Sequence, residues 1–174
     1  MRRKIVLFII VTICFLLQTT VFPSLTFANI APNLLLIVVA SFGLMRGKKE
    51  GLWIGFFCGL LIDIFCGFYL GVYALLYMYI GYINGMFKKY FYPDDIKLPM
   101  VMIGTSDIVC NLVIYFVMFL MRSKFKFWYY LSSIIIPEFV YTMVITIFLY
   151  FILLKINQSL EAYEKKRRST KFEL

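Results

Sequence analysis

Three acids, Asp63, Asp107 and Glu138, lie within runs that are otherwise apolar, and Gln18, Asn84 and Asn111 add neutral carboxamides. A carboxylate in lipid is costly and requires a partner or a polar cavity. Such acids can build a proton or cation path, or they can hydrogen-bond between helices for about 1 kcal/mol or less per bond. Asp107 and Asn111 are four residues apart and share a helix face, roughly with Gly104. Lys, Arg and His are all missing from the middle of the apolar runs, so no relay can be completed and hydrogen bonding is the favoured role. Glu138 follows Pro137 at the start of the last run, where an acid complements the helix dipole. Asp63 lies near the end of its run, where the dipole opposes it. A specific polar contact with another helix or another protein is therefore expected of it, rather than a cap.

Other chemistries are poorly supplied. The chain has no His, the commonest general base and metal ligand. Cys14, Cys58, Cys66 and Cys110 lie in or at the ends of apolar runs without a CxxC pair, and read as packing residues. There is no nucleophile–base pair, no phosphate-binding glycine loop and no metal cluster. The expectation is a protein that is not an enzyme and needs no cofactor.

A second pattern frames Asp63. Gly47, Gly51, Gly55, Gly59, Asp63, Gly67 and Gly71 recur every fourth position. On a helix, Gly51, Gly55, Gly59 and Asp63 form one face with almost no bulk, a groove that admits another backbone closely. Gly81 and Gly85 form a second small patch. The groove either packs another helix of the chain or receives a partner's transmembrane helix. On the second reading, Gly55→Leu or Gly59→Leu breaks partner association without unfolding the chain.

The elements that must hold these residues are helices in a membrane. Of 174 residues, 63% are hydrophobic and 20% aromatic, and the mean hydropathy is +0.88. A soluble domain of this size cannot bury so much apolar surface. Six spans are predicted, over residues 5–22, 30–45, 51–66, 69–87, 98–121 and 137–154, in a single membrane domain covering 1–155, with a basic tail over 156–174. The second and third are short. The net charge of +9 does not point to nucleic acid, because the basic residues cluster between apolar runs. With the N-terminus inside, only Arg122, Lys124 and Lys126 lie outside, which places both termini in the cytoplasm. Anionic lipid headgroups are the expected neighbours of the basic clusters. Phe125, Phe127, Trp128, Tyr129 and Tyr130 are expected to anchor an amphipathic stretch at the outer interface.

Residues 31–85 resemble the rod shape-determining protein MreD family. The resemblance rests on Pro32-Asn33 before the second run, the basic loop from Arg46 to Gly51, the GxxxGLxxD stretch from Gly55 to Asp63, and the Gly67 to Tyr73 turn. Gln18, Phe22-Pro23, the chain length and the basic tail agree with it. The second half, from Phe91, matches only in hydropathy and length. The resemblance implies a six-helix fold similar to the substrate-binding subunits of energy-coupling-factor transporters. It also implies a non-enzymatic subunit of the bacterial cell-elongation machinery in the inner membrane. Its implied partners are the single-span protein MreC, the polymerase RodA with a class B penicillin-binding transpeptidase, and the cytoplasmic MreB.

Two alternatives stand beside the scaffold reading. A solute-binding subunit of a vitamin-like transporter would use small residues at four-residue spacing on its first helix, which IVLFIIVTICFLLQTTVF lacks. A proton-coupled channel using Asp63 and Asp107 would lose its flux when Asp63 is changed to Asn.

Overall fold

A computed structural model describes residues 2–22, 31–65, 71–92, 96–122 and 131–172. Among these the chain forms six principal helices and no strand. Helix α1 (Arg2–Leu16) continues through a π turn, Leu17–Val21. Helix α2 (Leu34–Arg46) is followed by α3 (Lys48–Phe65) with one residue between them. That residue, Gly47, has φ +99° and ψ −179°, a conformation for which glycine is suited and side chains are not. Helix α4 (Val72–Met86) runs into a 3-10 turn, Phe87–Tyr90. Helix α5 spans Lys97–Arg122, and a π turn, Leu131–Ile135, leads into α6 (Ile136–Phe172).

The core is built around α2. Every residue from Leu34 to Met45 is buried, as expected of a helix that is apolar on all sides and surrounded by protein. It packs on α1, α3, α4, α5 and α6. The most extensive pairing is between α3 and α4. Val11 and Cys14 of α1, Cys58 and Ile62 of α3, Tyr77 of α4, Ile103 and Cys110 of α5 and Leu153 of α6 complete the buried cluster with α2.

Helix lengths sort the bundle. Among the described residues, three stretches are long and apolar enough to cross a membrane: Arg3–Val21, Lys97–Val117 and Ile136–Glu164. Helix α2, with 13 residues, measures about 20 Å, shorter than the roughly 30 Å hydrocarbon core. Helix α4, with 15 residues, is about 22 Å long. Over the basic tail expected at 156–174, α6 continues as helix through Phe172. The aromatic stretch from Phe125 to Tyr130 lies outside the described residues, as do Cys66 and Gly67.

Candidate functional site

The glycine face of α3 is filled by α4. A Cβ at Gly51 would fall onto the Gly81 carbonyl, one at Gly55 onto the Tyr77 carbonyl, and one at Gly59 onto Tyr73 and Ala74. From the other side, Gly81 meets the Gly51 backbone and Gly85 meets Gly47 and Lys48. Gly43 of α2 joins them, its would-be Cβ 2.8 Å from the Gly81 carbonyl. These glycines bring three backbones together, and the groove contemplated for a partner's helix is occupied by the chain's own α4.

Asp63 closes the same pair. Its Oδ2 accepts from the Gly71 and Ala74 backbone N–H groups at 3.0 and 2.9 Å, and Oδ1 accepts from the Tyr73 N–H at 3.1 Å. The carboxylate, 2% exposed, therefore caps the N-terminus of α4, where free donors and the positive end of the dipole converge. Asp63 is opposed by the dipole of its own helix and favoured by that of the next. Gly71, the N-cap, has φ +101°.

Two more polar residues join helices. Asn33 Oδ1 accepts from the Leu36 N–H at 3.3 Å, capping α2, and from the Tyr77 hydroxyl at 2.5 Å. The Asn33 N–H donates to Thr142 Oγ1 at 3.2 Å. One asparagine thus ties α2 to α4 and α6. Gln18 Oε1, in the π turn of α1, accepts from the Leu35 N–H at 3.0 Å. Sequence reasoning did not single out Tyr77 or Thr142: Tyr77 is one of several tyrosines in an aromatic run, and Thr142 lies in an apolar one.

A third group lies on α5 and its neighbours. Asn84 Nδ2 donates to Ser106 Oγ at 2.8 Å, joining α4 to α5. Asp107 is 0% exposed, and neither carboxyl oxygen has a hydrogen-bond partner. Asn111 is buried and its Nδ2 lacks a partner of hydrogen-bonding geometry. Its carboxamide faces Glu138 of α6, which in turn interacts electrostatically with Asp107 and Tyr77. Asp107, Asn111 and Glu138 are therefore brought together, whereas Asp63 is engaged with the start of α4. Among the described residues no group of three or more His, Cys, Asp or Glu side chains is arranged to hold a metal.

One end of the bundle is ionic. Arg3 pairs with Glu50 at 2.6 Å and with Glu164 at 3.1 Å. Arg46, its side chain 8% exposed, pairs with Glu164 at 3.2 Å and donates from Nε to Asn157 Oδ1 at 2.5 Å. Asn157 Nδ2 donates to Glu161, and Lys88 Nζ donates to the Arg46 carbonyl. Burial alone would raise the Glu164 carboxyl, but hydrogen bonds and charge from Arg46 and Arg3 outweigh it and hold the group below its ordinary value. The network fastens α1 and the far part of α6 to the α2–α3 turn.

The remaining surface is apolar. Phe8 and Ile13 of α1, Val101 and Phe116 of α5, and Val144 and Phe148 of α6 all point outward. Inside the bundle Gln18, Asn33, Asp63 and Asn84 cap helices or bridge them, and outside it the long helices α1, α5 and α6 expose apolar faces, as do Trp53 and Phe57 of α3 and Leu75 and Tyr79 of α4.

In comparisons with known proteins, the family model for the rod shape-determining protein MreD matches residues 1–160. Neither a curated protein nor a solved structure matches the chain. With that match covering nearly the whole chain, including the capping residues Gln18, Asn33 and Asp63, this protein belongs to the MreD family and is a membrane protein of the rod shape-determining system.

Proposed function

We propose that the chain is a non-enzymatic scaffold of the bacterial cell-elongation complex, lying in the inner membrane with both termini cytoplasmic. The observation that carries this reading is how the helix-joining residues are used. The glycines and Asp63 are consumed within the chain, while α1, α5 and α6 present long apolar faces outward. Those faces are the docking surface for partner transmembrane helices: a single-span MreC-like protein and the RodA-type polymerase with its class B transpeptidase. The ionic end, with its clustered Arg and Lys, faces the cytoplasm, anionic lipid headgroups and MreB. A solute-binding role is less well supported, because Asn33, Tyr77 and Thr142 bond to one another and to backbone.

Photocrosslinking in native membranes tests the proposal, with a photoreactive residue at Phe8, Phe116 or Phe148 and a fourth probe at Leu60 beside the glycine face. Adducts with a single-span elongation protein or a cell-wall synthase are expected from at least one outward position, and Leu60 should crosslink only within the chain. Lipid adducts alone from all three outward positions would overturn the reading.

A further inference from the structure

We infer that Asp107, fully buried, and Glu138, half-buried, form a proton-binding pair between α5 and α6. Two acids that look alike in the sequence differ in their surroundings. Asp63 and Asp107 are both almost fully buried. Asp63 receives three backbone N–H donors, so its negative charge is satisfied. Asp107 receives none on either oxygen. An ionised carboxylate without donors in a low-dielectric interior is prohibitively costly, and a carboxyl so placed remains ionised only beside a compensating cation.

Among the described residues, no such cation is built into the surroundings. Helices α2, α4 and α6 pack around α5. Neither Lys nor Arg occurs between Leu34 and Met45 of α2, within Val72–Met86 of α4, over residues 98–121 of α5, or from Ile136 to Leu154 of α6. Among the described residues, the titratable groups that interact with one or other acid are Cys110 on α5 itself, Glu138 on α6 and Tyr77 on α4, and α2 contributes none over that range. All three are neutral or acidic. Glu138 interacts electrostatically with Asp107, and two like charges so placed oppose ionisation of both. The Asn111 carboxamide, with an unpartnered Nδ2 and facing Glu138, supplies one donor and one acceptor to the same cluster. A proton is the ligand that satisfies this arrangement: it turns a carboxylate into a group that both donates and accepts, and it needs no cavity. The two acids share that proton and titrate as a pair.

The experiment is infrared spectroscopy of the full-length protein in a maltoside detergent, which has no ester carbonyl to mask the stretch of a protonated carboxylic acid. At neutral pH the wild-type protein is expected to show that band, shifted in heavy water. Asp63→Asn should leave it intact, and Asp107→Asn/Glu138→Gln should remove it. If the double variant does not fold, the wild-type spectrum still decides the matter, because absence of the band at about pH 7 overturns the inference. Asp107→Asn supplies a second readout. It replaces a protonated acid with a neutral isostere, so the apparent Tm should be unchanged or raised. A marked fall would indicate an ionised Asp107 with a compensating partner, and would sink the proposal.

Discussion

At the scale of single residues, Asp63 has the clearest consequence. Its three donors are N–H groups at the start of α4, so removing the carboxylate leaves one buried and two partly buried donors unsatisfied. Asp63→Ala is expected to lower stability by about 2–4 kcal/mol. Asp63→Asn should cost less, because an amide oxygen can still accept. Apparent Tm in detergent, read by size-exclusion chromatography, checks both. The importance of Asp63 was legible in the sequence, since an acid closing a ladder of glycines in an apolar run requires a partner. The identity of that partner was not, because the donors are main-chain groups 8 to 11 residues further on and depend on how the chain returns. Tyr77 and Thr142 gave no signal: a buried tyrosine bonding an asparagine reads in sequence like any aromatic facing lipid.

At the scale of elements, the α3–α4 pair behaves differently from a surface groove. Gly55 sits on the Tyr77 carbonyl, so even Gly55→Ala must push two backbones apart, at the upper end of the roughly 1–3 kcal/mol typical of overpacking. Gly55→Leu should abolish recovery of folded protein rather than merely partner binding, as monodispersity after extraction will show. Phe8→Ala on the outward face of α1 serves as the control and should leave monodispersity unchanged. Helix count and order follow from the apolar runs and the Gly and Pro residues between them. The occupant of the glycine face does not, because bringing two backbones together needs the same small residues whether the second helix is in the chain or in a partner. Nor does the sequence reveal that α2 is central, since a helix apolar on every side suits lipid and protein alike.

At the scale of the whole molecule, the ionic end sets a pH dependence. Glu164 joins α6 to Arg46 and Arg3, and its carboxyl lies below the ordinary carboxylate value in the folded protein. A depressed folded-state value contributes stability that is present above the unfolded pKa of about 4.3 and is lost as pH falls through the folded value. Protease protection of the part of α6 beyond Glu164 should therefore be constant near neutrality and fall only in acid. Glu164→Gln should show the weakened protection at neutral pH. Salt should loosen this end first, because Arg3 and Glu164 are partly exposed and screened.

The burial of α2 also bears on synthesis. Ribosomes deliver α2 before two of the helices that enclose it, α5 and α6. Until α6 emerges, the backbone N–H of Asn33 lacks Thr142, and Arg46 lacks both Asn157 and Glu164. Completion of the chain is thus written into its first third. A nascent product cut short before residue 136 keeps an open seam along its central helix.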